Sequence, residues 1–205
     1  MVEDENLIEL MKDVHTKYAS ENLIALIPNK LAKKYNAYCS MRIDLKMIQE
    51  YLALLNSNSS IIQSALTYSV IALYGKCFTD ASTDCNAKLD KKVYENNQDF
   101  LETHDFLMDL RHKFISHRGN TYNEVGIAYL LIPKNELFSE GSIEYMNSKR
   151  KGFIKLEIDK INLLIVFLSQ WLESQTEKFQ HRLREQFLKQ FLPFKIEKVI
   201  INDLF

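Results

Sequence analysis

NSNSSIIQSALTYSVIALYG, residues 56–75, contains no charged side chain. Its length invites a membrane reading, but Gln63, Ser64, Thr67, Tyr68 and Ser69 interrupt the apolar run, so it reads as a core segment. Asn56 to Ser60 is a turn sequence, with Ser59 or Ser60 suited to cap a helix. Ile61 to Leu73 then reads as a helix that is apolar almost all round. Such a helix belongs at the centre of a domain built from other helices.

The flanking sequence supplies those helices. On the N-terminal side, residues 5–19 carry Leu7, Leu10, Met11, Val14 and Tyr18 on one stripe. Pro28 breaks the chain and opens a short helix at Leu31 to Tyr35. A longer one follows from about Ser40 to Leu55, with Ile43, Met47, Ile48, Tyr51, Leu54 and Leu55 at helical spacing. On the C-terminal side, Thr79 to Leu89 is a polar loop, and Gln98 to about Ser116 is a helix with Phe100, Leu101, Leu107, Met108, Phe114 and Ile115 inward. Asp159 is placed to cap a last long helix, whose stripe runs Ile161, Leu164, Ile165, Leu168, Trp171, Leu172 and on to Leu188. Pro193 ends it.

Between the last two helices the period changes from about 3.6 to 2. Val125 to Ile132 is extended and closed by Pro133; Ser142 to Met146 and Gly152 to Leu156 are its candidate partner strands. The expected architecture is mainly α: one domain over 1–205, an antiparallel bundle of four to five helices. A small β-hairpin is inserted at about 121–156, and a tail covers 193–205.

Composition narrows the functional classes. The 205 residues hold 26 Lys and Arg against 27 Asp and Glu, a formal net charge of −1. No global field attracts nucleic acid, so any such contact comes from a local patch. Five glycines and three prolines favour long helices. Cys39, Cys77 and Cys85 are odd in number and lack a C-x-x-C pairing, which fits a reducing cytoplasm. The acidic start, Met1 to Glu5, has no signal-peptide pattern, and a cytoplasmic protein without membrane attachment is expected. Glycine-rich phosphate loops, G-x-S-x-G and H-E-x-x-H are absent, and no metal or cofactor is expected.

The chemistry concentrates at Arg111-His112-Lys113-Phe114-Ile115-Ser116-His117-Arg118-Gly119. Arg111 is a permanent cation and His117 titrates near neutral pH, a pairing suited to a phosphodiester. Cations also gather at helix C-termini through the macrodipole alone, which is the purely structural explanation. On a continuous α-helix, six residues turn through about 600°, leaving His117 roughly 120° from Arg111, while His104 and Arg118 share the Arg111 face. A site therefore needs the helix to tighten or break before His117, and Gly119 makes a break plausible.

Leu110 to Arg118 resembles the signature of the HEPN superfamily, in which an Arg and a polar follower precede a His near a helix end. Tyr74-Gly75-Lys76-Cys77-Phe78-Thr79 is similar to the corresponding stretch of stand-alone bacterial HEPN-like proteins related to abortive-infection families. The resemblance covers roughly residues 40–190. It implies a metal-independent endoribonuclease working as a homodimer, or a member that keeps the fold without the activity. Carried over, Arg111 and His117 are the catalytic pair and His112 the polar follower. The tyrosine of one toxin class is not matched, because Gly119 stands at that position and Tyr122 lies three residues on.

Further substrate contacts are assigned to His104, Arg118, Tyr74, Lys76 and the basic run Lys149, Arg150 and Lys151. All but Arg118 have a plainer alternative: a core or interface histidine for His104, helix capping for Tyr74 and Lys76, a solvated hairpin tip for the run. His15 and His181 are assigned nothing. The expected partners are RNA, a second copy of the chain, and a cognate antitoxin or regulatory protein. The alternative function is a non-catalytic module that binds RNA, a nucleotide or a partner protein.

Overall fold

The computed structural model describes residues 2–22, 24–55, 59–79, 88–115, 123–132 and 142–191. The described residues are mainly helical, with one small antiparallel sheet. In order come α1 (Val2–Tyr18), α2 (Asn29–Leu54), α3 (Ser60–Phe78), a 3₁₀ turn (Lys91–Tyr94), α4 (Gln98–Leu110), a π-helical segment (Arg111–Ile115), β1 (Glu124–Leu131), β2 (Ser142–Lys149) and α5 (Lys155–Phe191). The chain forms two compact units, Met1–Asn36 with Glu177–Phe205, and Ala37–Thr176. The tail at 193–205 and most of the 79–89 loop lie outside the described residues.

In the smaller unit, Ala32 and Leu183 are buried, and Lys34 lies 4.8 Å from the centre of the Phe179 ring. Leu7, Leu10 and Tyr18 of α1 remain exposed.

The larger unit carries the main core. Met41, Leu45, Ile48 and Leu52 of α2, with Leu55 just past its end, recur at helical spacing and are buried. They share the interior with Val70, Ile71 and Tyr74 of α3, Leu107 and Leu110 of α4, and Ile161, Leu164, Ile165, Leu168 and Leu172 of α5. Burial of that many aliphatic side chains, at about 1.5–3 kcal/mol each, is what closes the bundle. Arg42 bonds Glu173 at 3.0 Å and Lys76 bonds Asp44 at 2.8 Å, tying α2 to α5 and to α3.

Four boundaries differ from the sequence reading. The two helices expected at 31–35 and 40–55 are one, because Asn36-Ala37-Tyr38-Cys39 contains no breaker. The Pro28 carbonyl accepts from Leu31 and Ala32 and starts it. The central helix extends past Leu73 to Phe78, and its first turn is exposed; burial begins at Thr67. Ser59 holds the cap position without a side-chain bond.

The third and fourth corrections concern the hairpin. β2 runs on to Lys149, pairing Glu124 with Lys149 and Leu131 with Ser142, and residues 152–156 do not form a strand. Gly126 admits the Tyr145 ring from the neighbouring strand, where a Cβ would collide with it. α5 begins at Lys155, so Asp159 lies inside it; its cap is Glu157, which accepts from the Ile154 N–H at 2.9 Å.

Arg150 pins the base of the hairpin. Its guanidinium pairs with Glu157, reaches the Gly152 carbonyl at 3.1 Å and Asn123 Oδ1 at 3.5 Å, and lies over Phe106 and Phe153. Both charged side chains are about one-fifth exposed, so water screens the pair only partly. Replacing Arg150 by Ala strands the Glu157 carboxylate and is expected to cost about 1–3 kcal/mol in urea unfolding. A loss below a few tenths of a kcal/mol would show that the pin is ornamental.

Candidate functional site

The site grows from the packing of α3 against α4 and the π segment. Arg111 is half-buried. Its stem crosses α3 at Gly75, so closely that a Cβ there would overlap Cδ and Nε of the arginine. Glycine inside a helix costs about 0.5–1 kcal/mol relative to alanine. Here the missing side chain is the space the arginine occupies. Beyond Gly75, Arg111 Nη2 reaches Thr79 Oγ1 at 3.5 Å. The Thr79 hydroxyl proton is already given to the Gly75 carbonyl at 3.0 Å, so its oxygen faces the guanidinium as an acceptor.

The backbone changes winding at this residue. The Arg111 N–H still bonds the carbonyls of Leu107 and Met108, but from Arg111 to Ile115 the helix is π rather than α. The sequence reading required a tightened or broken helix near Ser116; the departure comes five residues earlier, and it widens the turn. Single π turns are rare and recur at functional sites. The α-helical angle between Arg111 and His117 therefore does not apply. His117, Arg118 and Gly119 lie outside the described residues. His112 is exposed, and Lys113 bonds Asp109 at 2.6 Å.

Beneath Arg111 the structure brings Tyr74 and His104 together in the core. Tyr74 is fully buried and His104 is 5% exposed, with Oη and Nδ1 2.7 Å apart. Tyr94 Oη stands 3.3 Å from Tyr74 Oη, and the Phe78 ring lies 4.5 Å from the imidazole. Burial, and then Tyr94, holds the Tyr74 hydroxyl well above its ordinary pKa. Burial lowers the His104 pKa, against the opposing pull of Asp105, and Lys91 lowers it further. Either Tyr74 donates to Nδ1, or Nδ1–H donates to Tyr74, which donates on to Tyr94. Both arrangements keep the ring neutral and pair the three groups. The functional groups of Tyr74 and His104 thus face one another in the interior, where their part is to hold α3 against α4.

Three of the remaining candidates, Lys76, Lys149 and Arg150, are engaged through their side chains with their own chain. Lys76 is paired with the nearly buried Asp44. Lys149 lies 5.3 Å from the Tyr68 ring centre and 3.5 Å from Glu124; Tyr68, and then Glu124, raise its pKa. Arg150 is the hairpin pin. Lys151 is exposed, and its carbonyl accepts from Ser64 Oγ at 2.6 Å. Burial pushes the Cys77 thiol up to about 12, which leaves it protonated and inert at neutral pH. Among the described residues, no three His, Cys, Asp or Glu side chains converge as metal ligands, and no helix is long and apolar enough to cross a membrane.

Sequence reasoning missed Tyr94 and gave Gly75 and Thr79 no role of their own. The interior helix glycine was the available signal, since such a residue calls for a close neighbour. No protein-family model, curated protein or solved structure matches the chain.

Two outcomes follow from this geometry. His104 is held neutral, so the unfolded chain takes up its proton first as pH falls through about 6.5. The stabilisation is complete above that value and drains away below it. The urea midpoint is expected to fall between pH 7.5 and 5.5, and His104→Asn to flatten that slope; an unchanged slope would remove His104 as its source. Gly75→Ala is expected to hold unfolding stability within about 1 kcal/mol, since alanine favours the helix and so offsets the cost of turning the whole arginine side chain out of its notch. Affinity for inorganic phosphate, measured by titration, is expected to drop at least threefold. Equal phosphate affinity would separate Arg111 from any anion site.

Proposed function

We propose that the Arg111 turn is the phosphate-binding half of a metal-independent ribonuclease site of the HEPN type. The observation that carries this reading is the seat of Arg111: a half-buried guanidinium laid over a helix glycine at a π turn, six residues before a histidine. Arginine stays charged at any working pH and presents a planar fork to phosphate oxygens.

The chemistry is a phosphoryl transfer within the RNA. The ribose 2′-oxygen attacks the adjacent phosphorus while His117 takes its proton as general base. Arg111 stabilises the charge that builds on the non-bridging oxygens. The bond from phosphorus to the 5′-oxygen breaks, and that oxygen takes a proton from an imidazole, His112 or a histidine of a second copy. The products are a 2′,3′-cyclic phosphate and a 5′-hydroxyl. One motif supplies few groups for two proton transfers, so the working form is a homodimer. By the same resemblance, the biological setting is bacterial phage defence or a toxin, in the cytoplasm, with a cognate antitoxin or regulatory protein as partner.

One feature favours a second reading, a non-catalytic interaction module. β2 is exposed along all eight residues, and Ile143, Tyr145 and Met146 present apolar surface there. Among the described residues β1 and β2 pair only with each other, and a two-stranded sheet gains from a cover. End-labelled RNA incubated in chelator distinguishes the two. Cleavage to cyclic-phosphate ends, reduced at least 100-fold by Arg111→Ala and by His117→Ala with the fold retained, supports the enzyme. Cleavage that both variants keep, or that needs added metal, overturns it. RNA or protein binding without cleavage, unaffected by either change, is the result expected of the module.

A further inference from the structure

We infer that the Tyr74–His104 hydrogen bond is a spacer that sets where the Arg111 guanidinium lies. What the guanidinium is for rests on the reading above; where it lies does not. α3 and α4 meet along two rungs. On the lower one, His104 Nδ1 and Tyr74 Oη are 2.7 Å apart inside the core. On the upper one, the Arg111 stem crosses Gly75, the next residue after Tyr74, and its tip reaches Thr79. His104 and Arg111 are seven residues apart, two turns of one helix face. The two rungs therefore join the same two stretches of chain, at adjacent residues on α3 and two turns apart from α4 into the π segment.

The lower rung cannot yield easily. Phe78 and Tyr94 pack on the imidazole at 4.5 Å and 5.5 Å between centroids, and Leu107, one turn beyond His104, is fully buried. A close-packed interior passes a shift of one helix to its neighbour rather than absorbing it. A longer or absent bond at Tyr74 changes the separation of α3 and α4, and the first feature to lose its fit is the arginine stem. That stem has no slack, because it already occupies the volume of a Cβ. Tyr74 and His104 are positioning residues: they act on Arg111 through the helices and touch no substrate.

The test reads the arginine directly, through the Nε–Hε signal of Arg111 in ¹⁵N-labelled protein, assigned by its loss in Arg111→Lys. In the unsubstituted chain the signal is expected to be dispersed and protected from exchange with water. Tyr74→Phe removes one oxygen from the lower rung, and His104→Leu removes the ring partner. Each is expected to move the signal to the position of exposed arginines and to raise its exchange at least fivefold. His104→Asn keeps a polar atom where Nδ1 stands and is expected to restore both. An Arg111 signal unchanged in folded Tyr74→Phe overturns the inference, as does His104→Asn behaving like His104→Leu. Tyr74→Phe decides the matter if His104→Leu does not fold. RNA cleavage by the same samples keeps the two claims apart. No cleavage by the unsubstituted chain, with Arg111 released in Tyr74→Phe, sinks the nuclease and leaves the spacer. Cleavage with Arg111 unmoved in Tyr74→Phe sinks the spacer and leaves the nuclease.

Discussion

Close contact between a glycine on α3 and an arginine stem on the turn after α4 organises the upper end of the larger unit. Gly75 weakens its own helix, and no turn or unusual backbone angle there explains it; what explains it is the volume of Arg111. Once the stem lies in that notch, the guanidinium can reach Thr79, whose hydroxyl is already oriented by the Gly75 carbonyl. A lysine at position 111 would fill the same notch with its methylenes but would bring a point charge in place of a planar fork. Residue type at both positions is thus tied to one crossing, and the crossing is held from below by buried aromatic residues.

The charged groups of this chain separate by burial. Arg150 and Glu157 are mostly enclosed, satisfy one another, and fix the hairpin to the start of α5. Lys76 is exposed, yet its partner Asp44 is nearly buried, so the pair ties α2 to α3. Lys149 belongs to the cross-strand pairing with Glu124. A basic run that reads in sequence as one patch is therefore three different things in space: a strand end, a structural pin, and an exposed lysine. Phosphate recognition at the hairpin cannot draw on all three charges alike, because engaging Arg150 would cost the contacts that hold the hairpin in place.

Much of the fold was legible because helical stripes are local. Ile48 and Leu55, and Ile161, Leu164, Ile165, Leu168 and Leu172, announce themselves by spacing and are buried, whereas Ile43 and Leu54 of the expected α2 stripe are exposed and Leu45 and Leu52 take places in the core. Boundaries set by distant partners were not. The end of β2 follows from the pairing of Glu124 with Lys149, and the start of α5 from a glutamate that reaches back from inside the helix, where an aspartate in front of it was expected. The candidate site divides the same way. Arg111 was visible as a residue type near a helix end, whereas its seat depends on Gly75, 36 residues earlier, and on a change of winding that no residue in the segment dictates. His104 was visible as a residue on the Arg111 face; that it meets Tyr74 depends on how two helices cross.

The buried histidine also bears on how such a site can be tuned. Arg111 cannot shed its charge, so its behaviour changes only by moving. His104 can shed or take a proton, but in the interior it is held neutral, chiefly by burial. The chain has put one permanent cation at the half-exposed turn and one titratable ring in the core two turns away. In that arrangement a change in protonation acts on packing first and on the arginine second. The ring therefore contributes geometry to the turn at neutral pH, and any proton it accepts is felt as a loss of that geometry before it is felt as charge.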